Sequence, residues 1–147
     1  MKDTIFVSIA SYRDKLCIDT VNNIYENAKY PDNIYIGICQ QNKEDEDDDC
    51  LENINNSRIK ITRISYKDAK GPVYARYLCS KLYDNQDYFL QIDSHTKFVK
   101  NWDIKCIFAI KSLKKKLVSN KPVLSHYPRN FQDNENYSNK ERFEVTY

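Results

Sequence analysis

At 147 residues the chain is long enough for one domain whose core needs no disulfide or metal staple. A composition 41% hydrophobic and 30% charged excludes disordered and fibrous classes, and a net charge of +2 on scattered basic residues excludes the strongly basic face of a nucleic-acid binder. Five cysteines without a CxxC pair read as reduced core thiols of a cytoplasmic protein, and the apolar run in "MKDTIFVSIA" is too short for a signal core or a membrane span.

In chain order, "TIFVSIA" at 4–10 has the β-branched and aromatic content of a buried strand. Within 14–28, Cys17, Val21, Ile24, Tyr25 and Ala28 recur at helical spacing, and Asp14 is placed to cap that helix. A second strand follows in "NIYIGICQ" at 33–40. The six acids from Glu44 to Asp49 repel one another and predict a solvated loop. A calcium loop is the alternative, although the glycine and distal glutamate of such loops are missing. "SRIKITRI" at 57–64 alternates apolar and basic residues, as a strand near a sheet edge does.

Gly71 and Pro72 suit the entry of a second helix, whose inner face is Ala75, Leu78, Cys79 and Leu82. "DYFLQI" reads as a buried fourth strand. Trp102 opens a third helix running to about Leu117, with Cys106, Ile107, Ile110 and Leu113 inward and "KSLKKK" as its solvated, favourably charged end. "KPVLSHY" reads as a last strand, and the polar residues 129–147 as a tail or connection beyond a domain of residues 1–128.

Strands alternating with helices predict an α/β sandwich with a mainly parallel sheet and helices on both faces. Ligands of such sheets sit at the carboxyl ends of the strands, where strand order reverses. Those positions hold Ser11, Tyr12 and Arg13 after the first strand, Gln40 and Gln41 after the second, and Asp93, Ser94 and His95 after the fourth. In an extended segment, side chains two apart share a face, so Asp93 and His95 could reach one divalent ion, with other positions left to water and phosphate oxygens. The bland readings are a strand-end carboxylate capping the next turn and a satisfied polar histidine. Arg13 and Arg76 are the cations suited to a diphosphate, and a surface salt bridge is the alternative for each. His126 is either a further ligand or a partly buried strand-end residue. With two glycines in the chain, neither GxGxxG nor a Walker loop can be built.

The ordered set "IFVSIASYRD", "IYIGICQQN", "GPVYAR", "YFLQIDSHTKFVKNWD" and "PVLSHYP" resembles the glycosyltransferase (GlcNAc) family, whose known members add GlcNAc to hydroxyproline of a cytoplasmic protein. It is similar, more distantly, to the mucin-type polypeptide GalNAc-transferases. The resemblance implies a GT-A fold using a UDP-sugar and Mn²⁺ or Mg²⁺, with retention at the anomeric carbon. It implies that Asp93 and His95 hold the metal and that these two and Arg76 carry the chemistry. Ser8, Ala10, Ser11, Tyr12, Arg13, Gln40, Gly71, Arg76, Gln91 and Ser94 would border the donor, and Trp102 would be a packing anchor behind the metal loop. The implied partners are a UDP-sugar and a hydroxyl acceptor, with polypeptide as the candidate class. Family members continue past this chain's end, so the resemblance also implies a donor-binding half whose acceptor half comes from a partner chain or oligomer. The alternative is a non-catalytic nucleotide-sugar-binding or interaction module.

Overall fold

The computed structural model describes residues 3–43, 50–116 and 121–126. Among the described residues four strands, β1 (Ile5–Tyr12), β2 (Ile34–Asn42), β3 (Ile59–Ser65) and β4 (Tyr88–Asp93), form one parallel sheet in the order β3-β2-β1-β4. The α-helices described, α1 (Cys17–Asn27), α2 (Pro72–Ser80) and α3 (Trp102–Lys116), give with the sheet the α/β sandwich that the alternation of elements predicts.

Period-two alternation sorts β1 between two cores. Ile5, Val7 and Ile9 join Cys17, Val21 and Ile24 of α1, Ile34, Ile36 and Ile38 of β2, and Trp102 of α3 in the larger cluster. On the opposite face, Cys39, Ala75 and Cys79 are buried with Ala10, Ile64 and Leu78 around them, beneath α2. Burial pushes the thiols of Cys17 up to about 12 and of Cys39 and Cys106 up to about 11, so they stay protonated near neutrality. All five cysteines are free thiols.

Both glycines have a reason. A Cβ at Gly37 would stand 2.3 Å from Cζ of Phe6 and 3.2 Å from Cβ of Leu82, so this position in β2 admits no side chain without displacing a buried ring. Gly71 has φ of 85° where the chain turns into α2, and Pro72 starts that helix with a φ already suited to it.

Four expectations need correction. The first helix starts at Cys17 with Leu16 in the capping position and no side-chain cap; Asp14, two residues earlier, accepts from the Leu16 amide on one carboxylate oxygen and from Ser94 on the other. Strand β4 is half-exposed rather than buried: it forms the edge opposite β3, and residues along it alternate between partly buried and exposed. The expected last strand does not form among the described residues: 121–126 carry no regular structure, and Val123 is 81% exposed. Pro122, lacking an amide proton, weakens any ladder there. Finally, α2 ends at Ser80, and Leu82 reaches Gly37 from beyond the helix. The acidic run 44–49, Leu117 and the tail 129–147 lie outside the described residues.

Gly37→Ala should lower unfolding free energy by about 1–3 kcal/mol, the usual cost of overpacking, with the slope of the urea transition unchanged. An unshifted midpoint would show that the Phe6 ring yields freely.

Candidate functional site

From β1, the chain turns back through α1 to β2 and on to β3 at one edge, then crosses under α2 to β4 at the other edge. Strand order therefore reverses between β1 and β4, and the crevice beyond their carboxyl ends is the expected ligand position. The central strands β1 and β2 change character at that edge. Their early residues are apolar, whereas the carboxyl ends of β1 and β2 carry Ser11, Gln40 and Gln41 at 1%, 2% and 3% exposure, a polar layer buried with no apolar reason to be so. The Gln41 side-chain Nε2 donates to the Ser11 carbonyl at 3.2 Å, while its Oε1 is buried with no hydrogen-bond partner.

Register sets the next step. Asp93 is the last residue of β4 and sits opposite Ala10, so β1 runs on for Ser11 and Tyr12 while the other chain turns away. Ser94 and His95 form that turn, and the extended geometry that would set Asp93 and His95 on one face ends at Asp93. Each then finds a different neighbour. Asp93 accepts from Arg76 Nη2 at 3.1 Å on Oδ1, an ion pair that brings the second turn of α2 to the carboxyl edge. His95 Nδ1 lies 2.9 Å from Asp14 Oδ2, the oxygen that also accepts from Ser94 Oγ at 2.6 Å. The other Asp14 oxygen accepts from the Leu16 amide at 2.9 Å.

Asp14 is the residue that sequence reasoning missed. Burial works to raise its pKa, but the bonds from Ser94, His95 and Leu16 outweigh it and hold the carboxyl below its ordinary value. Thr20 was missed too: fully buried on α1, it donates to the Ser94 carbonyl at 2.8 Å and accepts from the Thr96 amide at 3.0 Å. A threonine on the apolar face of an amphipathic helix was the available signal. Trp102 behaves as the expected anchor, 1% exposed, its indole N–H donating to the Ile24 carbonyl and its ring centroid 4.5 Å from that of Phe98.

The other anticipated residues divide by exposure. Ser8 and Ser11 are buried with hydroxyls that have no oxygen or nitrogen partner, beside the Cys79 and Cys17 thiols respectively. Tyr12 is 54% exposed, and Arg13 is exposed with φ of 50°. The Arg13 guanidinium stands 5.5 Å from the Tyr66 ring centroid, and the amines of Lys43 and Lys67 stand 5.9 Å from it, so positive charge gathers beyond β1, β2 and β3. Gly71 and Gln91 are exposed, the latter one β4 pleat before Asp93. Arg76 Nε is buried without a partner. His126 lies in the irregular segment 121–126 and follows no described strand. A cavity of about 370 Å³ between α1 and residues 50–59, lined by Ile18, Val21, Tyr25, Ile54 and Ile59 among others, shares no residue with this cluster.

Among the described residues no three His, Cys, Asp or Glu side chains gather as a metal site. The pair Asp93 and His95 nonetheless fits a divalent ion in donor chemistry, one carboxylate oxygen and one imidazole nitrogen. Both side chains are 55% exposed, and Oδ2 of Asp93 and Nε2 of His95 make no bond to the described residues.

Because the Asp14 carboxyl titrates lower in the folded protein than in the unfolded chain, its stabilising effect is complete above the ordinary carboxylate range and is lost as pH falls through the folded value. Wild type should therefore be more stable than Asp14→Asn at pH 7, and the two thermal midpoints should converge in acid. A gap that persists undiminished through the acid range would refute this.

No curated protein and no solved structure matched this chain. A family model described as glycosyltransferase (GlcNAc) matches residues 4–56 and 51–147, and these two stretches carry all the strands and the whole carboxyl-edge cluster. The chain therefore belongs to the GlcNAc glycosyltransferase family.

Proposed function

We propose that this chain binds a UDP-sugar across the carboxyl ends of β1 and β4, in the manner of a GT-A domain, and transfers the sugar to a hydroxyl acceptor. GlcNAc is the sugar we favour, from the family to which the chain belongs, and polypeptide is the acceptor class. The observation that carries the reading is the position of Asp93, Ser94 and His95: they leave β4 where strand order reverses, and the Asp93 and His95 side chains are each 55% exposed there.

In the transfer, the bond from the anomeric carbon to the diphosphate oxygen breaks, a bond to the acceptor oxygen forms, and the acceptor proton is released. Negative charge grows on the departing diphosphate, so stabilising that charge is where a protein gains most. Asp93 and His95 would hold Mn²⁺ or Mg²⁺, which when bound supplies Lewis-acid neutralisation of that charge. Arg76 presents a planar cation beside Asp93, and Arg13 with Lys43 and Lys67 places further positive charge on the β1 to β3 side. The buried Gln41, whose side-chain oxygen is unused, and Ser11, whose hydroxyl has no oxygen or nitrogen partner, offer hydrogen bonds to a polar ligand entering from the carboxyl edge. Ser94, 5% exposed and bound to Asp14, keeps the turn in place instead of reaching freely for the sugar.

UDP and UDP-GlcNAc titrated with and without Mn²⁺, followed by an assay for UDP-GlcNAc hydrolysis, test the reading. Metal-dependent binding with turnover is expected. Binding without turnover would favour a non-catalytic module, and absence of UDP affinity under both conditions would overturn both. Partners of metal ligands cost 10–100-fold when removed, so Asp93→Ala, removing a ligand itself, should weaken metal-dependent UDP binding by about 100-fold or more. Unchanged affinity would remove Asp93 from the site.

A further inference from the structure

The Asp14 carboxylate is surrounded by donors: the Leu16 amide on Oδ1, and the Ser94 hydroxyl with His95 Nδ1 on Oδ2. It is contributed by the loop leaving β1, while Ser94 and His95 leave β4, so a single side chain spans the point of strand reversal. Its side chain is 18% exposed, against 55% for His95, so the imidazole is held from its inner side with its outer side open. An ionised carboxylate only accepts hydrogen bonds, which obliges the facing ring nitrogen to carry a proton. In neutral imidazole the proton then sits on Nδ1, and Nε2 keeps its lone pair.

We infer that Asp14 is a positioning residue: it fixes the tautomer and the orientation of His95 so that Nε2 is the nitrogen offered at the carboxyl edge. The inference rests on the proposed function for what Nε2 would hold, a divalent cation. It stands on the hydrogen-bond geometry for the tautomer itself. Ser94 has a separable part, since its hydroxyl bonds to the same carboxylate oxygen and steadies Asp14 without touching the ring's protonation.

The tautomer can be read without metal or substrate. Protein labelled with ¹⁵N-histidine at about pH 8.5, where imidazole is neutral, gives separate Nδ1 and Nε2 signals, and loss of one histidine's signals in His126→Gln assigns the two residues. In wild type, His95 should show a protonated Nδ1 and a bare Nε2. In Asp14→Ala it should revert toward the Nε2–H form that free imidazole side chains favour in water, and Ser94→Ala should leave it as in wild type. A wild-type His95 carrying its proton on Nε2, or a tautomer unmoved in folded Asp14→Ala, overturns the inference. The wild-type measurement decides even where that variant does not fold. Mn²⁺ affinity in the presence of UDP, followed by water proton relaxation, should fall about 10–100-fold in Asp14→Ala. A wild type that shows the Nδ1–H tautomer but binds no Mn²⁺ with UDP would sink the metal reading of the proposed function and leave the positioning role of Asp14 standing.

Discussion

The pairing of Ala10 with Asp93 governs the carboxyl edge. Because side chains alternate along a strand, a slip of one residue would turn the carboxylate to the other face and move every apolar residue of β4 with it. With the register as it is, β4 ends two residues before β1 does, and the Ser94–His95 turn comes to rest beside the loop that contains Asp14. Three distant parts of the sequence thus meet: the end of β1, the second turn of α2 through Arg76, and the exit from β4.

What holds this meeting place is chiefly α1. Along one face of that helix, Thr20 bonds to Ser94 and Thr96, Asn23 accepts from the Phe98 amide at 2.6 Å, the Ile24 carbonyl takes the Trp102 indole, and the Asn27 carbonyl accepts from the Asn101 amide at 2.7 Å. The loop from 94 to 101 is therefore fastened turn by turn to a helix that is itself packed on β1 and β2. Asp103, 2% exposed, closes the far end by accepting the amides of Lys29 and Tyr30 at 2.8 Å each. Individually these bonds contribute about 1 kcal/mol, more where a carboxylate accepts, but leaving any buried partner unmatched costs the full desolvation of that group.

The fold and the reactive run were legible because their signals are local. Repeated β-branched strands, the helical spacing of Cys17, Val21 and Ile24, and the position of Asp93 and His95 just after an apolar strand can all be read within short windows. The relation of Asp14 to His95 was not legible, since it joins residues 81 apart and the local rule for an aspartate ahead of a helix is to cap it. The exposure of β4 escaped for a similar reason: its composition suits a buried strand, and only the sheet order makes it an edge. The segment 121–126 has strand-like residues but, with Pro122 among them and Val123 in solvent, no ladder forms.

The fastening of the 94–101 loop to α1 has a consequence for how this chain can change over generations. Thr20 and Asn23 look replaceable by the standards of helix formation, where better formers abound. They are nonetheless spelled by the needs of a loop some 75 positions away, as the separations of their bonds, 74 to 76 residues, show. Drift in α1 is therefore constrained by the carboxyl edge, and loop and helix are expected to diversify together as one inherited unit.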